Sequence, residues 1–281
     1  MRPGGLALLL AAAAATMAGQ SPPAEKAPSS TQVIQDNSFL IEEAYNQAPG
    51  VVQHINSYLR THPGGAWIAN FTQEWPVPKE THQLSYSVAY ESLERDSGGA
   101  RGLGDLALNY RYQLVGSGDS AVAVAPRFTL LLPTGDYRKG LGNGAPGYQI
   151  SFPMSTVLSD RFVAHWNAGA TWTPRARDSL GQRADTTAAN LGQSTIFHVM
   201  PTLDLMLEIV WTRTQSVAGA GRTTADRTFL LSPGVRYAWN TPYGLQIVPG
   251  IGVPIGVGPS RGQRSILIYL SFEHPFCEVS K

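Results

Sequence analysis

Residues 203–212 alternate without a break: Leu203, Leu205, Leu207, Ile209 and Trp211 fall on one side, Asp204, Met206, Glu208, Val210 and Thr212 on the other. A period of two puts successive side chains on opposite faces of an extended strand, so this strand has one apolar face and one face carrying two carboxylates. The same reading holds elsewhere. Leu84, Tyr86, Val88 and Tyr90 alternate with Ser85, Ser87, Ala89 and Glu91. Leu106, Leu108, Tyr110, Tyr112 and Leu114 alternate with Ala107, Asn109, Arg111 and Gln113, and Ile266, Ile268, Leu270 and Phe272 with Leu267, Tyr269, Ser271 and Glu273. None of these windows has helical spacing.

Turn residues divide positions 51–276 into about twelve such runs. Most run to about 11–14 residues, where strands of soluble proteins average nearer 5 or 6. A tilted strand crossing a bilayer needs about 9–11. Connection lengths give a second sign. After 63–65, the short gaps 78–81, 116–119, 159–160, 201–202 and 240–244 alternate with the longer gaps 95–102, 133–146, 175–188, 216–226 and 257–264. Short turns at one end and longer loops at the other belong to an up-and-down outer-membrane barrel. The expected fold is therefore all-β: a transmembrane up-and-down antiparallel β-barrel with both ends of the strand region periplasmic. Trp67, Trp75, Trp166, Trp172, Trp211 and Trp239 fall on the apolar face, as aromatic girdles require. Five prolines, Pro126, Pro153, Pro233, Pro249 and Pro254, lie inside the runs and demand bulges or strand ends, since each forfeits a ladder bond.

Composition narrows the alternatives. Lys+Arg is 21 and Asp+Glu 20, a net charge of +1, which lacks the basic footprint of a nucleic-acid binder. The single cysteine, Cys277, excludes a disulfide scaffold or Cys-rich zinc module. Arg2, the apolar run 6–15 and small residues at Thr16, Ala18 and Gly19 have the layout of a secretory signal peptide. The expected organisation is a signal peptide over 1–19, a periplasmic linker and N-terminal segment over 20–50, the barrel over 51–276 and a tail over 277–281. Export to the bacterial outer membrane follows, with membrane lipid and the barrel-insertion machinery as partners.

Three stretches carry a family resemblance. They are Asn37 to Gln47 running on through Gly50 to Ile55, the run Gly102-Leu103-Gly104-Asp105-Leu106, and Leu132-Pro133-Thr134-Gly135-Asp136 with the Gly-rich loop to Gly147. With the strand pattern, they resemble the outer-membrane protein family labelled after the meta-cleavage pathway of phenol degradation. The resemblance covers most of 37–276. It implies an outer-membrane barrel of transport role, and the label suggests aromatic compounds as solutes.

No catalytic or metal constellation stands out. Gly140-Leu141-Gly142-Asn143-Gly144 sits between strands, where a phosphate loop would have to open a helix, so it reads as an extracellular loop. The six histidines have no paired metal spacing, and His54, His165 and His198 are expected to face the lumen. No cofactor and no enzymatic activity are expected. The chemistry-bearing set is the polar face: Arg111, Arg127, Arg161 and Arg236 with Glu74, Glu91, Asp204, Glu208 and Glu273. Of these, Arg111, Arg127, Arg236, Glu91, Glu208 and Glu273 are the lumen selectivity candidates. Arg111 and Arg127 should lie near each other on adjacent strands, opposed by Glu208 or Glu273. Two outcomes balance: a transverse field selecting small polar solutes, or an ion-pair network closing a barrel narrower than the 16–18-stranded porins.

The apolar residues Val33, Ile34, Phe39, Leu40 and Ile41 precede the first strand. They can plug the lumen, pack at the periplasmic mouth, or form a short helix or half-strand outside the barrel; the last is the expectation. The functional reading is a channel or transporter for small solutes, hydrophobic or aromatic compounds among them. The alternative is a closed structural or binding barrel acting through its extracellular loops.

Overall fold

In the computed structural model, which describes residues 34–77, 79–93, 99–242 and 244–275, one antiparallel sheet closes on itself. The strands are β1 (Val51–His62), β2 (Trp67–Pro76), β3 (His82–Ser92), β4 (Arg101–Leu103), β5 (Leu106–Tyr112), β6 (Val122–Val124), β7 (Arg127–Leu132) and β8 (Gly147–Ser159). They continue with β9 (Phe162–Arg177), β10 (Arg183–Met200), β11 (Leu203–Gly219), β12 (Arg222–Tyr237), β13 (Trp239–Asn240), β14 (Gln246–Gly252), β15 (Ile255–Gly256) and β16 (Arg264–Pro275). The pairs β4/β5, β6/β7, β12/β13 and β14/β15 are each one interrupted stave, giving a closed barrel of twelve. Closure is by β1 against β16, in register from Val51↔Pro275 to His62↔Arg264. The signal-peptide, linker and tail assignments to 1–33 and 277–281 lie outside the described residues.

The outer face follows the sequence alternation. Leu84, Leu108, Tyr110, Leu205, Leu207, Ile268 and Leu270 are exposed, Tyr86 and Val88 half-buried, and their neighbours Ser85, Arg111 and Glu208 are buried. An outward apolar band around a polar interior is what a lipid surround demands. Trp172 and Trp239 stand exposed on that surface.

Three expectations need correction. The gaps 175–188 and 216–226 are mostly strand: β9 runs to Arg177, β10 begins at Arg183, and β11 and β12 meet at a turn between Gly219 and Arg222. These Thr- and Arg-rich stretches lack an apolar face because they project beyond the bilayer, where both faces meet water. Pro126 and Pro254 interrupt strands, whereas Pro153, Pro233 and Pro249 stay inside β8, β12 and β14. His54 points outward, stacked 4.7 Å from Phe272 and 6.0 Å from Phe71, so only His165 and His198 of the expected three face inward.

The end that carries the two-residue turns 160–161 and 201–202, and from which β1 starts and β16 ends, is assigned to the periplasmic side, although the opposite end also has one two-residue turn, 220–221. The opposite end holds the long loop 133–146. Arg161 lies exposed in the periplasmic turn and does not contribute to the lumen.

Candidate functional site

The lumen is occupied by the chain's own N-terminal segment, residues 34–50. It starts at the periplasmic rim, where Gln35 Nε2 donates to Gly118 O at 2.6 Å and Ile34 packs with Ala238 and Val248. It rises to the level of Glu208 at Leu40 and Ile41, then descends to β1. The segment is therefore neither a helix nor a half-strand outside the barrel. It has no regular hydrogen-bonding pattern of its own, so the wall must satisfy its backbone groups.

The first anchor is at Asp36. Its Oδ1 accepts from Gln53 Nε2 and from the Tyr269 hydroxyl, both at 2.8 Å, and Ser271 Oγ donates to Oδ2. Beside it, Arg236 Nη1 donates to the carbonyls of Asp36 and Asn37 at 2.7 and 2.8 Å. Arg236 Nε is held by Asp204 Oδ2 at 2.9 Å, and Asp204 Oδ1 lies 2.6 Å from His198 Nδ1. The alternation of β11 and β12 faces Asp204 and Arg236 inward, and their register makes them direct partners.

The second anchor is at the apex. Glu208 Oε1 accepts from the backbone N–H of Leu40 at 2.7 Å and of Ile41 at 3.2 Å, and Ser38 Oγ donates to Ser194 Oγ at 2.8 Å. Phe39 lies 5.2 Å from the Tyr269 ring and packs with Ile55, Ile196, Met206 and Leu267. Glycine makes room for it: a Cβ at Gly250 would sit 2.5 Å from the Phe39 ring, and one at Gly192 would overlap Ile41 Cδ1.

The third anchor is Arg111. Nε donates to Asn46 Oδ1 at 2.8 Å, Nη2 to Tyr45 O at 2.6 Å, and Nη1 to Glu43 O and Glu42 Oε1, each at 3.2 Å. Glu74 Oε2 stands 3.8 Å away. Arg127 is the direct cross-strand partner of Arg111 and lies 3.3 Å from Glu42 Oε2. Carboxamides complete the set. Gln83 accepts from Gln47 N–H at 2.7 Å, Gln113 from Asn46 N–H at 3.0 Å, and Asn167 from Glu42 N–H at 2.8 Å.

Adjacency of Arg111 and Arg127 thus follows from the register, but the acids expected opposite them are elsewhere. Glu208 binds backbone N–H groups, and Glu273 accepts from Gln53 Nε2 at 2.8 Å. The carboxylates beside the arginine pair are Glu42, from the segment, and Glu74. Glu91 lies apart on β3, opposite Ile68 and Gly102, with no ion pair among the described residues. The segment's own groups, Asp36, Glu42 and Asn46, were missed in the sequence set. Their only signal was a run of polar residues interleaved with apolar ones where a free tail needs neither.

Above the segment, two of the family-like stretches knit together. Asp105 accepts from the N–H groups of Gly135 at 3.0 Å and Asn143 at 2.8 Å, while Thr134 Oγ1 donates to Gly104 O at 3.0 Å. Leu141, within this loop, is buried. The stretches hold the long extracellular loop down; they bind no phosphate-type turn onto a helix. Among the described residues no three His, Cys, Asp or Glu side chains are grouped to hold a metal.

Comparisons place this architecture. The family described as "Putative MetA-pathway of phenol degradation" matches residues 51–271. No curated protein matches the sequence. Among solved structures, an outer membrane channel from Pseudomonas putida F1 is similar with a TM-score of 0.58 at 15% identity, over 83% of this chain and 97% of that one. The NanC porin is similar with a TM-score of 0.53 at 11% identity, over 78% of this chain and 98% of that one. At these identities the likeness is one of fold: an outer-membrane barrel.

Proposed function

We propose, from the premise that this chain belongs to that phenol-degradation family of outer-membrane barrels, that it is a channel for small solutes whose lumen is gated by residues 34–50. The observation that carries the reading is the chemistry of the seal. A barrel closed only for stability is best filled with apolar side chains, because buried ion pairs repay their desolvation poorly. Here Arg111, Arg236 and Glu208 instead grip the segment through polar contacts that water can replace one for one. A bolt of this kind can slide, whereas a dry core cannot. The protein on this reading is a passive, non-enzymatic conduit in the outer membrane. The family's description makes aromatic compounds the first solutes to try.

The second reading, a permanently closed barrel, is favoured by how many wall groups hold the segment at once, Arg111, Arg236, Glu208, Gln83, Gln113 and Asn167 among them. Planar-bilayer recording separates the two. The full chain should give brief, infrequent conductance steps, and a variant lacking residues 34–49 a steady open level. Silence from both would overturn the channel reading.

A further inference from the structure

We infer that the outer wall carries a binding site for the phosphate of an outer-leaflet glycolipid, built on Arg213 and Arg227. These two residues are direct cross-strand partners on β11 and β12. Both share the face of Leu205, Leu207 and Trp211, because the register between the strands runs unbroken from Leu203↔Tyr237 to Val217↔Thr223. They therefore point away from the lumen. Directly opposed side chains have Cβ atoms about 5 Å apart, and like charges so placed repel. Neither guanidinium has an ion-pair or hydrogen-bond partner among the described residues. Asp226, next in sequence to Arg227, belongs to the opposite face of the strand.

Their height says what can relieve that repulsion. Arg213 is the eleventh residue of β11 counted from Leu203, and Arg227 the eleventh of β12 counted back from Tyr237. A tilted strand exhausts the hydrocarbon layer in about 9–11 residues. The row just below is Leu191, Trp211 and Phe229 in register, an apolar and aromatic edge at the outer interface. The row of the arginines themselves continues sideways into Ala189 and Ala170. Two forked cations stand beside a shelf of methyl groups, at the depth where lipid phosphates lie. Guanidinium forks match phosphate oxygens in pairs, and the small shelf leaves room for the saccharide that bears the phosphate. The occupant is a phosphorylated glycolipid of the outer leaflet, bound from the lipid side and independent of whatever passes through the lumen.

Native mass spectrometry of the full chain in detergent, titrated with diphosphorylated lipid A, tests this directly. The wild type should retain one lipid at concentrations where the variant Arg213→Gln/Arg227→Gln, altered only on the outer face, shows at least tenfold less adduct. Dephosphorylated lipid A should bind both proteins equally weakly, and inorganic phosphate should not displace the bound lipid. Arg213→Lys/Arg227→Lys keeps the charge without the forks and should retain an intermediate amount. It also serves if the glutamine variant does not fold. Equal adduct on wild type and both variants would overturn the site. So would equal binding of the dephosphorylated lipid, or displacement by free phosphate.

Discussion

Arg111 concentrates the account at the level of a single residue. It is 2% exposed and makes four hydrogen bonds to the N-terminal segment, three of them through Asn46 Oδ1 and the carbonyls of Tyr45 and Glu43. Removing one partner of a buried charged cluster costs about 3–5 kcal/mol, because the groups left behind stay buried and unpaired as long as the segment is seated. Arg111→Ala should therefore lower the temperature at which the detergent-solubilised barrel loses its compact gel mobility, and should lengthen open events in a bilayer. Arg127→Ala should do much less of both, since its side chain is 22% exposed and partly hydrated already. Equal effects from the two would mean that Arg111 is not the latch. Sequence made this pair visible: both residues sit on polar faces of neighbouring strands, and alternation alone brings them together. Their true counter-charge, Glu42, was invisible because it comes from a segment with no period, joined to the wall across 69 residues by Arg111.

At the scale of elements, the segment 34–50 and the strands around it are shaped to each other. Phe39 fits where Gly234, Gly250 and Gly252 remove side chains from the wall, and Ile41 fits against Gly192. Glycine weakens a strand, so three in one patch need a packing reason. Gly250→Val should overpack this notch, at about 1–3 kcal/mol, and lower the thermal midpoint. Adding Phe39→Ala should recover part of the loss, since the smaller side chain frees the space. A thermal scan of the two single variants and the double in one detergent checks this; strict additivity would show that Gly250 and Phe39 do not meet. The glycines were plain in the sequence, yet what they faced was not, because the contact joins positions separated by some 200 residues. The long polar gaps 175–188 and 216–226 misled for a related reason. Alternation marks a strand only where its two faces meet different surroundings, and β9 to β12 outrun the bilayer.

For the whole molecule, fold and location were legible because a bilayer imposes one rule everywhere: apolar side chains outward, at every second position, around the full circle. The register that follows sets Arg236 beside Asp204 and Arg111 beside Arg127 with no freedom to slip, since a one-residue shift would turn every charge toward lipid. What that rule does not constrain is the content of the lumen, and there the wall and the segment settle matters between themselves. The central claim, that residues 34–50 must move for solute to pass, is tested by fastening them. Ser38 and Ser194 hydroxyls are 2.8 Å apart, so Ser38→Cys/Ser194→Cys in a Cys277→Ser background places two thiols within bonding reach. Single-channel recording of this protein, oxidised and then reduced in the same bilayer, should show no openings while the disulfide holds and wild-type openings once it is cut. Openings of equal size and frequency in both states would contradict the account.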